Sequence, residues 1–175
     1  MMDSIGGSAN PSNSGPSGTP VSVAGSGFGT TQSALHSTTA AEPVGTYAHA
    51  RRAGGLLFLA GIGPRQRGSK KIPGVTLDAS GKVANYDVAA QVHSCFENVK
   101  IILEQSGSSW DRIIDVTVFL TDMQRDFPTV NALWATYFMD PATQPCRTTI
   151  EIKSLPKAGD SLINFEVKIV ATVGE

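Results

Sequence analysis

The sequence has little net charge, few cysteines and no long apolar run. Its 175 residues carry 14 Lys and Arg against 15 Asp and Glu, a formal net charge of −1. This balance argues against a general binder of nucleic acids or membrane surfaces. No run of about 18 apolar residues is present, so no segment is expected to span a membrane. The N-terminus also lacks a charged region followed by an apolar one, as a secretory signal would have. We therefore expect a cytoplasmic protein with neither nucleic acid nor membrane as a partner.

Cysteine and histidine are too scattered to predict a metal centre. Cys95 and Cys146 are the only cysteines and lie far apart in the sequence, which is typical of free thiols in a cytosolic protein. His93 lies two positions from Cys95 on a predicted helix and therefore faces a different side. We expect no bound metal.

The first 41 residues differ in composition from the rest of the chain. Gly, Ser and Thr occupy 21 of these positions, and Asp3 is the only charged residue. Neither a strand period nor a helix period is sustained, so the segment buries too little apolar surface to offset its conformational entropy. We predict a flexible tail over residues 1–41 and one folded domain over residues 42–175.

The folded part alternates strand and helix patterns. The Gly54–Gly55 pair separates two strand-like runs, which predicts a tight β-hairpin. Apolar residues at helical spacing predict a first helix over residues 88–103, with Asn85 or Asp87 as its N-cap. A half-buried strand is predicted to follow over residues 114–120.

The C-terminal third predicts another helix and two more strands. The helix is expected to begin after Asp126, as its N-cap, with Pro128 in the first turn. Strands over residues 146–152 and 162–169 complete the order ββ(β)αβαββ, in which the bracketed element is a possible short strand around Val75-Leu77. One sheet with both helices on one face is the economical arrangement, an α+β fold. The other face of the sheet must then be solvated or covered by another subunit.

A cation and a carboxylate lie on the polar faces of the last two predicted strands, which we expect to be neighbours. Arg147 offers a planar fork that suits a carboxylate ligand. Glu166, if partly buried, would have a raised pKa that suits proton transfer. Asn131, on the second helix, could point its amide at the same pocket. The pattern alone leaves open the alternative that these are solvated surface residues forming weak ion pairs.

The motifs around these residues resemble those of the RidA/YjgF family of imine and enamine deaminases. The resemblance covers about residues 43–173, and the matching motifs follow one another in the expected order. They are Gly45-Thr46-Tyr47, Leu59-Ala60-Gly61, Phe96-Glu97-Asn98-Val99, Val116 through Leu120, Asp126-Phe127 through Asn131, Arg147 through Ile152, Leu155-Pro156 and Phe165-Glu166-Val167.

The resemblance implies a chorismate-mutase-like α+β domain that forms a homotrimer with active sites in clefts between subunits. It implies that Arg147 binds the α-carboxylate of the substrate and that Glu166 positions or activates water. By the same resemblance, Tyr47 and Asn131 line the cleft. The expected partners are thus a small carboxylate substrate and two further copies of the chain.

Two positions depart from the general family pattern, and the first of them, with the stretch His49 through Gly54, is similar to the 2-aminomuconate deaminase branch. Thr149 stands where a cysteine is often found after the arginine, which gives the Arg-Thr-Thr form, and Ala60 replaces a serine. An arginine four residues after the strand-end glycine, here Arg65 after Gly61, is also shared with that branch. The resemblance therefore implies 2-aminomuconate or a similar enamine dicarboxylate as the substrate.

The implied reaction is hydrolytic deamination without a cofactor, because the imine tautomer of the substrate is already electrophilic. Arg147 would bind the near carboxylate and Arg65 the distal one, and backbone N–H groups near Gly61 or Thr148 would stabilise developing charge. Two alternatives are left open. One is a general 2-imino-acid deaminase in which Arg65 is incidental, and the other is a non-catalytic metabolite-binding trimer. The presence of Glu166 beside the arginine favours an enzyme.

Overall fold

The computed structural model describes residues 32–156 and 162–174. Strands and helices alternate along this part of the chain. They are β1 (Ser33–Leu35), β2 (Ala50–Ala53), β3 (Leu56–Leu59), β4 (Val75–Leu77), β5 (Val83–Tyr86), α1 (Val88–Gln105), β6 (Ile113–Leu120), α2 (Met123–Tyr137), β7 (Cys146–Glu151) and β8 (Phe165–Thr172). A 3₁₀ turn, Trp110–Arg112, leads into β6.

The main sheet has six strands in the order β1-β2-β3-β8-β6-β7. The pairs are antiparallel except β6 with β7, which run parallel because α2 forms the crossover between them. β4 and β5 form a separate two-stranded sheet. Both helices pack on one face of the main sheet, so the predicted α+β architecture is confirmed. The possible short strand is present as β4, and β1 and β5 are additional strands.

The core lies between this face and the helices. Alternate residues of β8 are buried, among them Phe165, Val167 and Ile169, and they pack against apolar side chains of α1 such as Phe96. The expected cap of α1 is confirmed for Asp87, whose carboxylate accepts hydrogen bonds from the backbone N–H groups of Ala89 and Ala90 in the first turn of the helix. The opposite face, which we call the open face, carries alternate residues of the same strands. Its side chains include Phe58, Thr117, Phe119, Thr148, Ile150, Glu166, Lys168 and Val170.

The start of α2 corrects the sequence prediction. Asp122, not Asp126, is the N-cap, and its carboxylate accepts from the backbone N–H of Arg125 at 3.0 Å. Asp126 lies one turn further on, is 1% exposed, and accepts a hydrogen bond from the Tyr86 hydroxyl at 2.9 Å. Two aspartates four residues apart offered the same local signal, and the tertiary contact with Tyr86 takes the second into the interior.

The folded domain begins earlier than predicted. β1 pairs with β2, and Ala40 is 1% exposed within the core. The ring of His49 holds the segment between them: its Nδ1 accepts from the Ser37 N–H at 3.0 Å, and its Nε2 lies 2.9 Å from the Ala41 carbonyl oxygen. The assignment of residues 33–41 to a flexible tail is therefore wrong, and residues 1–31 of the predicted tail lie outside the described residues.

Candidate active site

Arg147 is built into the helix side of the sheet. Its register partner on β6, Val116, is a core residue, so the arginine side chain is directed toward α2. The guanidinium lies over the indole of Trp134, with Cζ 4.7 Å from the ring centre, and Nη2 donates to Oδ1 of Asn131 at 2.9 Å. Burial lowers the pKa of Arg147.

One nitrogen of this guanidinium is left over. Nη1 of Arg147 is buried and has no hydrogen-bond partner among the described residues. Buried polar groups are normally paired, so an unpartnered donor on a fixed cation calls for a ligand. The fork geometry of arginine suits a carboxylate best. Arg147, Asn131 and Trp134 therefore form what we call the cationic half-site.

Glu166 lies on the open face, directly against Gly61. A β-carbon at Gly61 would overlap Oε1 of Glu166, so the carboxylate packs on bare backbone at this point. Burial raises the pKa of Glu166, and the charge of Arg65 opposes part of that rise. A carboxyl whose pKa is raised can accept a proton and return it closer to neutral pH.

Arg65 accompanies the glutamate. Its Nη2 donates to the Pro156 carbonyl oxygen at 2.6 Å. Nε is buried and, in the part of the chain that the structure describes, lacks a hydrogen-bond partner. Arg65 thus repeats the feature seen at Arg147, a tethered guanidinium with one unpartnered donor. Glu166, Gly61 and Arg65 together form what we call the acidic half-site.

Tyr47 lies in the acidic half-site, whereas Thr148 and Thr149 lie on opposite faces of the sheet. Tyr47 lines one pocket together with Gly61 and Arg65, and its hydroxyl accepts from the Val44 N–H at 3.2 Å. Thr148 is exposed on the open face of β7, whereas Thr149 lies on the helix side with Arg147. The residues inferred from the sequence therefore fall into two groups rather than one.

The two half-sites face opposite sides of the sheet. Glu166 is in register with Phe119 and, across β6, with Ile150, whereas Arg147 is in register with core residue Val116. The expectation that the two strands are neighbours is wrong, because β6 lies between β7 and β8. Two strand spacings and three residue positions separate the Cα atoms by roughly 14 Å. One copy of the chain does not bring Arg147 and Glu166 to a common substrate.

Sequence reasoning missed Trp134 as a partner of Arg147. It lies on the apolar stripe of α2, where an aromatic side chain is typical of core packing. The signal that could have found it is the spacing of Asn131 and Trp134, three residues apart and so on one helix surface. An aromatic ring and an amide at that spacing can contact the same guanidinium, one by stacking and the other by a hydrogen bond.

Two further findings bear on the site. Within residues 32–156 and 162–174, no group of three or more His, Cys, Asp and Glu side chains is placed to hold a metal ion. None of the helices described is both long and apolar enough to cross a membrane.

The fold is that of an α+β protein with two helices on one face of a mixed sheet. The model of the family described as endoribonuclease L-PSP matches residues 37–173. The chain therefore belongs to this family, the RidA/YjgF family that its motifs resemble.

Known proteins of similar sequence and structure agree with this assignment. A RutC family protein of Pyrococcus horikoshii is 36% identical over 130 residues, which cover 73% of this chain and 88% of the relative. The 2-iminobutanoate/2-iminopropanoate deaminase of Salmonella typhimurium is 39% identical over 93 residues, 53% of this chain and 68% of the relative. The crystal structure of E. coli TdcF with bound serine has a TM-score of 0.66 at 27% identity, covering 81% of this chain and 99% of that one. The chain is thus similar to proteins that include a named imine deaminase.

Proposed function

We propose that this chain is a cofactor-independent deaminase that hydrolyses a 2-enamine or 2-imine carboxylate and releases ammonia. The preferred substrate is 2-aminomuconate or a similarly extended enamine dicarboxylate. The observation that carries this proposal is a pair of tethered arginines, Arg147 and Arg65, each with a buried N–H that no described residue accepts. Two such donors match the two carboxylates of the substrate.

The active site is proposed to form between copies of the chain in a homotrimer. One copy supplies Arg147 and the next supplies Glu166 and Arg65, since a single copy directs them to opposite faces. The open face supports this arrangement because it exposes large apolar side chains, with Phe58 39% and Ile150 42% accessible. Such a surface is typical of a protein interface.

The chemistry follows from the groups in the two half-sites. A proton moves from the enamine nitrogen to C3 by way of solvent and gives the imine, which makes C2 electrophilic. Glu166 accepts a proton from water as the water oxygen bonds to C2, and it delivers that proton to the nitrogen, which gives a carbinolamine. The hydroxyl proton of the carbinolamine then moves to the nitrogen through Glu166 as the C–N bond breaks, so ammonia leaves and C2 becomes a carbonyl. Enamine and water are consumed, and a 2-oxo acid and ammonia are produced, so the atoms balance.

Arg147 would bind the carboxylate on C2 throughout this sequence. The guanidinium is held by Asn131 and Trp134, so it need not be ordered when the substrate arrives. Arg65 would bind the distal carboxylate beside Glu166. Its positive charge also limits the rise in the pKa of Glu166, which keeps the carboxylate available as a base.

A second candidate is a general 2-imino-acid deaminase. The relative from Salmonella typhimurium, 39% identical over 93 residues, is named for two short 2-imino monocarboxylates. In that reading Arg147 and Glu166 keep their roles and Arg65 contributes only to the pKa of Glu166.

Ammonia release separates these functions. We would compare 2-aminomuconate with 2-iminobutanoate, each generated in situ, using the full chain and its Arg147→Ala and Arg65→Ala variants. The proposal predicts a higher kcat/KM for the dicarboxylate, loss of both activities in Arg147→Ala, and loss of the dicarboxylate preference in Arg65→Ala. Equal activity on both substrates that Arg65→Ala does not alter would favour the general deaminase. No ammonia from either would reject both enzymes and support a binding role.

A further inference from the structure

The loop that carries Arg65 has its backbone fixed by the side chains of α1. We call residues Ile62–Arg65 the Arg65 loop. Its four successive carbonyl oxygens all accept hydrogen bonds from the helix. Cys95 donates to Ile62 at 3.0 Å, Ser94 to Pro64 at 2.8 Å, and Asn98 to both Gly63 and Arg65, at 3.1 Å and 2.6 Å.

Asn98 donates two of these four hydrogen bonds, more than any other residue of α1. The residue is 7% exposed, and its Nδ2 supplies the two bonds to the loop. Its Oδ1 accepts from the Ala41 N–H at 3.4 Å, so both ends of the amide are occupied. The carbonyl partners require the donor end to face the loop, which fixes the orientation of the amide.

Arg65 is consequently tethered at two points. Asn98 binds its backbone carbonyl, and Pro156 accepts from its Nη2 at 2.6 Å. The buried Nε that lies between these tethers has no partner in the described ranges. A charge fixed in advance binds an anion more tightly than a mobile one, because less freedom is lost on binding.

We propose that Asn98 is a positioning residue that sets Arg65 and so determines the preference of the site for a second carboxylate. This inference rests on the proposed function of Arg65 as the distal carboxylate anchor. Asn98 itself lies on α1 and acts through the loop. Its loss should weaken recognition of the distal carboxylate and leave recognition of the near carboxylate intact.

Binding of two unreactive ligands tests the inference without relying on turnover. The probes are trans,trans-muconate and sorbate, which share a six-carbon diene and differ in whether the far carbon is a carboxylate or a methyl group. Their dissociation constants would be measured by calorimetry on the full chain. In Asn98→Ala we expect the Kd of muconate to rise by about tenfold and that of sorbate to change by less than about twofold.

The control is Gln105→Ala on the same helix. Gln105 donates to Thr39 at 2.9 Å and so holds the N-terminal segment. It should alter neither Kd. Adding Arg65→Ala to Asn98→Ala should cause little loss beyond that of Arg65→Ala alone, since the asparagine acts through the arginine. If Asn98→Ala lowers the melting temperature too far for use, Ser94→Ala removes a single loop contact and should give a smaller loss confined to muconate.

Four results would overturn the inference. Equal weakening of muconate and sorbate in Asn98→Ala would mean a general effect on the fold. Additive losses in the double variant would mean that Asn98 acts independently of Arg65. A wild-type chain with no preference for muconate would remove Arg65 as the distal anchor, and ammonia release would then show separately whether deamination survives. If Arg65→Ala abolishes the preference and Asn98→Ala does not, the proposed function stands and only the role of Asn98 fails.

Discussion

Arg147 and Glu166 project from opposite faces of one sheet, with strand β6 between them. Each half-site is preorganised within its own chain, and the proposed active site needs one half from each of two copies. The proposed mechanism therefore requires that copies of the chain associate, and paired inactive variants can test this requirement.

Mixing two inactive variants should restore activity. Arg147→Ala and Glu166→Gln should each be inactive alone, because every site lacks one of its two groups. If the variants are unfolded together in equal amounts and refolded, about a quarter of the sites should receive an intact arginine from one copy and an intact glutamate from another. Ammonia release measures the recovery. Each variant refolded by itself is the control, and no recovery on mixing would place the whole site within one chain.

Asn131 should control the anion affinity of Arg147. Asn131→Ala removes the acceptor on Nη2, which is 2.9 Å away, and should raise KM by a few-fold to about tenfold as the guanidinium loses a tether. Asn131→Asp keeps the shape but adds a negative charge that competes with the substrate carboxylate, so its KM should rise further. The KM values of the two variants, measured side by side by steady-state kinetics, test this expectation. A lower KM in Asn131→Asp than in Asn131→Ala would contradict carboxylate binding at Arg147.

Gly61→Ala should disable Glu166. The new methyl group would overlap Oε1 of Glu166 and force the carboxylate to move. Loss of a positioned general base lowers kcat by about 100-fold or more. Gly63→Ala is the matched control, since its β-carbon would lie 3.8 Å from Oε2 of Glu166, an ordinary contact. Equal kcat for the two variants would show that the position of Glu166 is not critical.

The acidic limb of the pH profile should report Glu166. Because burial raises the pKa of Glu166 above its ordinary value of 4.5, kcat/KM should begin to fall at a higher pH than it would for a solvated carboxylate as the base becomes protonated. Arg65 opposes that rise, so Arg65→Gln should move the limb to still higher pH. Arg112→Gln, near the far end of β8 beside Gly174, should leave it in place. A shift to lower pH in Arg65→Gln would exclude this assignment.

The periodic parts of the fold could be predicted from the sequence, and the strand order could not. The apolar stripe of α1 and the alternation in β8 are local patterns that the core enforces. The insertion of β6 between β7 and β8 depends on long-range pairing, which leaves no local signature. β1 was hidden for another reason: Ser33–Leu35 lies in a stretch rich in Gly, Ser and Thr, and its order comes from pairing with β2 and from contacts such as that between His49 and Ser37.

For the candidate site as well, some features follow from the sequence and others depend on tertiary packing. Residue type and motif order are enough to propose Arg147, Glu166 and Arg65 as candidates, because their charges and neighbouring motifs can be read from the sequence. The faces to which they point, the indole under Arg147 and the hydrogen bonds from Asn98 to the Arg65 loop depend on which elements pack together. These could be learned only from the structure.

Trp134, on which the Arg147 guanidinium lies, is part of the aromatic core. Trp134, which carries the guanidinium, also packs edge-on against Phe96, and Phe96 in turn contacts four further aromatic rings. If Arg147 binds the substrate as proposed, carboxylate binding depends on the same aromatic packing that stabilises the domain. A substitution of Phe96 that the fold tolerates should therefore also change the affinity for substrate, so core packing and substrate binding cannot be altered independently at this position.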